Sequence, residues 1–386
     1  MTTLRADWSY PTSIRFGAGR VAEVADAART AGIRRPLVVT DPGIAALPMA
    51  RRVMDLLRAG GVEGVLFDGV RPNPVEANLA DGIAAYRDGG HDGVVALGGG
   101  SALDVGKLIA FQQGQTRPVF DFEDVGDRWT RADAARIAPV VAVPTTAGTG
   151  SEVGRAAVLT DGATRTKRVI FHPLMLPKAV ICDPELTAGM PPKITAGTGM
   201  DALAHCLEAY CAPAYHPMGD GIAVEGMRLV KGALPRAFRD GADIEARAHV
   251  MSAALMGAVA FQKGLGAIHS LSHPIGALYD THHGLTNAVF MPYVLAFNRG
   301  AVEGKIERLA AWLGIEGGFK GFLGWVLALR EELGVPHRLG GLVEKVDTNA
   351  VARMAPDDPT AGGNPVPLDA AGAGRILEDA IEGRVG

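Results

Sequence analysis

Hydrophobic positions change their rhythm about half-way along the chain. In the first half, short apolar runs alternate with segments of helical period. "PLVVT" (36–40) is β-rich and ends at Asp41, and a helical pattern follows through "MARRVMDLLRAGG". "GVLFDG" reads as a second strand and "VEANLADGIAAYRDGG" as a helix closed by glycines. "DGVVALGGGS" is a third strand that runs into a Gly-rich turn. "SALDVGKLIAF" continues as a helix with Ser101 as its N-cap. "APVVAVPTTAGTGSE" is a further strand that ends in small polar residues. Strands alternating with helices predict a parallel sheet with crossover helices.

From about residue 153 the pattern shifts. "VGRAAVLTDGATRTKRVIF" predicts two strands joined by a turn at Asp161-Gly162. "KAVICDP" is the last strand, stopped by Pro184. Beyond it β signals almost vanish, and segments of 3.6-residue period fall at about 195–211, 217–238, 243–259, 264–278, 284–298, 302–314 and 318–333. The expected organisation is an α/β domain over residues 1–185 and an all-helical domain over 186–386. "APDDPTAGGNPVP" reads as a loop by composition.

Composition removes whole classes of function. The chain has 386 residues, 48% hydrophobic and 21% charged, with a net charge of −4 and a pI near 6.2. No basic face calls for nucleic acid. No run of 18 apolar residues predicts a membrane span, and "MTTLRADWSYPTSIRFGAG" lacks the apolar core of a secretory leader. Cys182, Cys206 and Cys211 are too few and too odd in number for a disulfide framework. A soluble cytoplasmic protein is expected.

"VVALGGGSALDVGK" places Gly98, Gly99 and Gly100 between a strand and a helix. Glycines let a pyrophosphate approach the backbone, and the next helix offers free N–H groups and its positive end. "PTTAGTGSE" adds Thr145, Thr146 and Thr149 after another strand, so both loops fall at the carboxyl edge of one sheet, where open α/β sheets bind ligands. Asp41 ends the first clear strand. Its carboxylate can accept from a ribose 2′-OH and would repel a 2′-phosphate, which favours NAD over NADP. Equally, it can cap a helix or turn.

In the second half, Asp201 and His205 are spaced i, i+4 in "AGTGMDALAHCLEAY" and share a helical face. "GAIHSLSHPIGALYDTHHG" holds His269, His273, His282 and His283. A carboxylate and imidazoles suit a divalent transition metal. Two more ligands are needed beside Asp201 and His205. Spacing alone does not choose between His269 with His273 and His269 with His283. One histidine can instead carry a proton near neutral pH.

Together, "GGGSALDVGK", "PTTAGTGSE", "GMDALAHCLEAY" and "IHSLSHPIGALYDTHHGLTNAVFMPYVLAFN" resemble the iron-containing (group III) alcohol dehydrogenase family. The resemblance runs from "FGAG" near residue 17 to "NPVPL" near 364. It implies a Rossmann-like dinucleotide-binding α/β domain, an all-helical C-terminal domain and an active site in the cleft between them. It also implies an NAD(P)-linked enzyme that interconverts an alcohol with an aldehyde or ketone, with one divalent metal. The metal it implies is usually iron, although a His/Asp site accepts zinc and nickel too, and a homodimer or higher homo-oligomer is expected. Carried over by residue, the metal ligands are Asp201, His205, His269 and His283. His273 lies near nicotinamide and substrate as the catalytic histidine, and His282 is no ligand. Asp41 and Asn73 serve the adenosine, Gly98, Gly99, Gly100 and Ser101 the pyrophosphate, and Thr145, Thr146 and Thr149 the phosphates and nicotinamide. Lys167 reaches the ribose, and Val158 and Leu186 line the pocket. Asp104 and Lys107 belong to the recurrent motif and suit a structural role on the loop helix at least as well.

Rival readings are a metal-free maleylacetate-reductase-like enzyme, a hydroxyacid–oxoacid transhydrogenase and, more remotely, a dehydroquinate-synthase-like lyase. Filled ligand positions argue against the first, and the aspartate-first ligand pattern argues against the last.

Overall fold

The structure, a computed structural model, describes Tyr10 and residues 12–385. The first nine residues of the stretch read for a secretory leader lie outside the described residues. By its contacts the chain divides into two compact units, Tyr10–Gly189 and a second from Met190 onward.

In the first unit six parallel strands form one sheet in the order β1-β8-β5-β4-β2-β3. They are β1 (Ser13–Phe16), β2 (Pro36–Val39), β3 (Val65–Phe67), β4 (Gly93–Gly98), β5 (Val140–Pro144) and β8 (Ala179–Cys182). Helices α1 (Val24–Thr30), α2 (Pro42–Ala45), α3 (Pro48–Ala59), α4 (Glu76–Asp88) and α5 (Gly100–Gln112) connect them. Every residue of β2, β4, β5 and β8 is buried. Central strands of a parallel sheet are covered on both faces, which is why their sequences are continuous apolar runs and not alternating ones. Val38, Leu97, Val141 and Ile181 meet Val24, Val53 and Leu57 in one core. A separate antiparallel hairpin, β6 (Ala156–Asp161) and β7 (Thr166–Phe171), pairs Thr160 with Lys167.

The second unit is helical: α6 (Pro192–Cys211), α7 (Pro217–Arg239), α8 (Ile244–Ala260), α9 (Ala267–Tyr279), α10 (His283–Trp312), α11 (Gly318–Glu332), α12 (Thr348–Met354) and α13 (Ala370–Glu382). Helix α6 is buried almost throughout and packs against α7, α8 and α10. The segment Ile244–Lys263 is long and apolar enough to cross a membrane by length and composition, but 61% of its apolar window is buried inside the protein.

Several sequence expectations are corrected. Strand β1 was not foreseen. Ser101 is not the N-cap of α5; Gly99 holds that position, and no side chain caps the helix. The segments expected at 284–298 and 302–314 are one continuous helix. Helices α12 and α13 were missed. All three cysteines are buried and free, with burial pushing Cys206 and Cys211 up to about 12.

Candidate functional site

At the carboxyl edge of the sheet, β4 runs into α5 through the three glycines. Gly98 has φ +150°, a left-handed conformation that favours glycine. A Cβ at Gly99 would stand 3.2 Å from Thr146 and one at Gly100 2.7 Å from Thr149, so the two loops touch. The Thr145 amide donates to Gly98 O at 3.0 Å, while the buried Thr145 Oγ1 has no hydrogen-bond partner. A bare backbone turn, an uncapped helix N-terminus and an unsatisfied buried hydroxyl suit a phosphate-bearing ligand.

Asp41 Oδ1 accepts from Ile44 N at 3.0 Å and caps α2. Its Oδ2 faces Gly98, 3.6 Å from where a Cβ would be. One oxygen therefore caps while the other looks toward the glycine loop. Asn73 follows β3 in a left-handed turn, φ 47°. Val158 and Lys167 lie on the β6–β7 hairpin. Leu186, after β8, packs into the core. Asp104 and Lys107 brace the loops. Asp104 accepts from Ser151 Oγ at 2.5 Å and Val158 N at 2.9 Å, and the buried Lys107 amine donates to Ser151 O at 2.9 Å and to Ala156 O.

In the helical unit, Asp201, His205 and Glu208 fall at i, i+4 and i+7 on α6, along one face. Asp201, His205 and His269 bring ligand atoms within 4.8 Å of one another, all buried. Three imidazoles converge on Asp201 Oδ1: Nε2 of His283 at 3.5 Å, of His269 at 3.8 Å and of His205 at 4.0 Å. Two ligands about 2.1 Å from one tetrahedral ion stand about 3.4 Å apart. The spacing and the donor types fit a divalent transition metal.

Two residues that sequence reasoning missed complete this cluster. Glu208 accepts from Ile268 N at 2.7 Å through Oε1 and faces His269 Nδ1 at 2.5 Å through Oε2. Burial lowers the His269 pKa, but the carboxylates of Glu208 and Asp201 outweigh it and hold it above the ordinary value. Asn287, one turn beyond His283 on α10, donates to Asp201 Oδ1 at 2.7 Å and lies 3.1 Å from Nε2 of both His269 and His283. An N–H drawn to these acceptors marks the electron-rich focus that also suits a cation. The i+7 and i+4 spacings were the available signals for Glu208 and Asn287.

Like His283, which approaches Asp201 Oδ1 at 3.5 Å, His273 lies outside the group of three. Its Nδ1 meets Asp358 Oδ2 at 2.8 Å, and its ring stacks on His283 at 5.4 Å between centroids. His282 caps α10, its Nδ1 accepting from Leu285 N at 3.4 Å. Burial lowers its pKa. Phe261 packs its ring on His205, 5.1 Å between centroids.

Residues 11–184 match the family described as iron-containing alcohol dehydrogenase, and residues 195–381 match the C-terminal domain of the Fe-containing alcohol dehydrogenase family. This chain belongs to the iron-containing alcohol dehydrogenases. It is 46% identical over 303 residues to 4-hydroxybutyrate dehydrogenase of Cupriavidus necator, covering 76% of this chain and 77% of that one. A crystal structure of 1,3-propanediol oxidoreductase superposes with a TM-score of 0.92 at 33% identity, covering 98% of this chain and all of the other (100%). Sulfoacetaldehyde reductase from Bifidobacterium kashiwanohense, solved in complex with NAD+, gives 0.88 at 28% identity over 97% of this chain and 98% of that one. As an iron-containing alcohol dehydrogenase the chain is an oxidoreductase acting on alcohol substrates, in a family that uses NAD(P) and a divalent metal.

Proposed function

We propose that this chain is an NAD-linked dehydrogenase of primary alcohols, with Asp201, His205, His269 and His283 holding one ferrous ion. The observation that carries the reading is the convergence of three imidazoles on Asp201 Oδ1. A divalent ion held there supplies Lewis-acid polarisation of the substrate oxygen, and the nicotinamide supplies hydride exchange. Three neutral histidines and one carboxylate would leave a dication held there with a net positive charge.

The chain's own residues do the rest. Gly98, Gly99, Gly100, Ser101, Thr145, Thr146 and Thr149 hold the phosphates. Asp41 selects NAD by accepting from the ribose and repelling a 2′-phosphate. Asn73, Val158, Lys167 and Leu186 remain assigned to the nucleotide, with Leu186 acting from the core beneath it. His273 takes the hydroxyl proton. A primary alcohol is favoured because the substrates named for two relatives, 4-hydroxybutyrate and 1,3-propanediol, both carry a terminal hydroxyl. A cytoplasmic homodimer remains the expected setting.

The test is an alcohol panel with NAD and NADP on protein loaded with ferrous iron. It includes 4-hydroxybutyrate, 1,3-propanediol and secondary alcohols of matched length. Primary alcohols with NAD should turn over fastest, and chelation should abolish turnover. Preference for secondary alcohols, or full activity after chelation, would refute the reading. His273→Ala should keep its metal and lose rate by about 100-fold, the usual range for a general acid–base group.

A further inference from the structure

The loop between α12 and α13 is pinned to α9 at two points. Asn364 Oδ1 accepts from Ala267 N at 3.1 Å, at the start of the helix. Asp358 Oδ2 meets His273 Nδ1 at 2.8 Å, further along it. The Asp358 side chain is only 7% exposed and that of His273 10%.

The carboxylate cannot turn away. Its other oxygen, Oδ1, accepts from Thr360 N at 2.9 Å and from Thr360 Oγ1 at 2.5 Å. With Oδ1 occupied by two donors, Oδ2 is left to the imidazole. Two donors on Oδ1, the Thr360 N–H and O–H, favour the ionised form of the Asp358 carboxylate. An ionised carboxylate only accepts, so the neutral imidazole must place its N–H on Nδ1. The Nε2 lone pair is then free to accept. Stacking on the His283 ring, with 20° between planes, fixes the plane of His273.

We propose that Asp358 is a positioning residue for the proton step: anchored by Thr360, it holds His273 in the Nδ1–H tautomer and keeps Nε2 ready to take the substrate hydroxyl proton. This rests on the proposed role of His273. In alcohol oxidation the substrate gives its carbinol hydride to the nicotinamide and its O–H proton to His273 Nε2. The carbonyl product and an imidazolium paired with Asp358 remain. In reduction the same proton returns to the oxygen.

Asp358→Asn tests the idea, because it reverses the hydrogen-bond sense. Thr360 N still needs an acceptor, so the new amide keeps its oxygen there and turns its NH2 to His273 Nδ1. That forces the proton onto Nε2. With 15N-labelled histidine in the metal-free full chain, the His273 signals are assigned by their loss in His273→Gln. They should show Nδ1 protonated in the wild type and Nε2 protonated in Asp358→Asn. In the iron-loaded enzyme, kcat should fall roughly 100-fold while KM for the alcohol and metal content stay within about twofold. Added to His273→Ala, the substitution should cost less than about a further twofold, because residues acting as a unit are not additive.

An unchanged tautomer with wild-type kcat would overturn the positioning role, as would full additivity in the double variant. Wild-type kcat in His273→Ala would instead overturn the assignment of His273 itself, so the two failures are distinguishable. If Asp358→Asn does not fold, Thr360→Val removes one anchor only. It should show a smaller loss of kcat and mixed tautomers; a single Nδ1–H tautomer at full rate would count against the proposal.

Discussion

Asp201 on α6 and His283 on α10 stand 3.5 Å apart, Oδ1 to Nε2, because Gly284 lets the two helices nearly touch. A Cβ at Gly284 would sit 2.1 Å from Gly197 O and 3.0 Å from Asp201 Cβ. Two substitutions separate ligation from packing. His283→Ala should lose its metal while metal-free unfolding changes little, since the ring is partly exposed. Gly284→Ala should lose metal and also destabilise the metal-free protein by about 1–3 kcal/mol, the usual cost of forcing atoms into a packed contact. Elemental analysis and thermal unfolding of the stripped proteins read the two effects. Full metal in His283→Ala would remove His283 from the ligand set.

Glu208 gives a second test. Its Oε1 takes the Ile268 amide and its Oε2 the His269 ring, which keeps the His269 proton on Nδ1 and Nε2 open. In Glu208→Gln the carbonyl can stay on Ile268 N, so an NH2 faces Nδ1 and favours the tautomer protonated on Nε2. Zinc affinity, measured by chelator competition, should drop about 10–100-fold, as for other outer partners of ligating histidines. Affinity within about twofold of wild type would show that Glu208 only caps α9.

The parts legible in the sequence were those whose cause is local. Strands β2, β4 and β5 announce themselves because both faces are buried, and Asp201 and His205 share a helical face by spacing alone. Strand β1 was silent because, at a sheet edge, Ser13 is exposed and its other three residues are only partly buried. Helix α10 looked like two helices because Arg299 and Gly300 interrupt its apolar rhythm, yet one helix runs from His283 to Trp312, past them and past Pro292. His269 and His273 share a face but not partners. One meets the Asp201 cluster and the other Asp358, a residue inside a stretch that composition marks only as loop. Such contacts come from the chain folding back, which no periodicity records.

Asp41 holds two jobs that a suitable substitution can part. Serine is as good an N-cap as aspartate, whereas alanine costs about 0.5–2 kcal/mol. Asp41→Ser should therefore keep wild-type stability and shift the NADP-to-NAD ratio of kcat/KM upward by roughly 10-fold, since no carboxylate repels a 2′-phosphate. Asp41→Ala should show the same shift with a lower midpoint in urea. An unchanged coenzyme ratio in both variants would leave Asp41 as a cap alone.

Glu152 sets a pH dependence of stability. It lies in the turn Ser151–Val153, just after the threonine loop, and is 2% exposed. Burial raises its pKa from 4.5 to about 7, against smaller opposing pulls from a backbone hydrogen bond and from Lys107. Below pH 4.5 both folded and unfolded chains hold the proton, and Glu152 contributes no difference. As pH rises from 4.5 to 7 the unfolded chain releases its proton first, so the folded state binds more protons and loses relative stability. Above pH 7 both are ionised and the full cost persists. Glu152→Gln removes this titration. Its stability relative to wild type should therefore rise between pH 4.5 and 7 by an amount on the order of 3 kcal/mol, read from urea unfolding at several pH values. A relative stability that stays flat across that range would mean the Glu152 carboxylate is fully compensated where it sits.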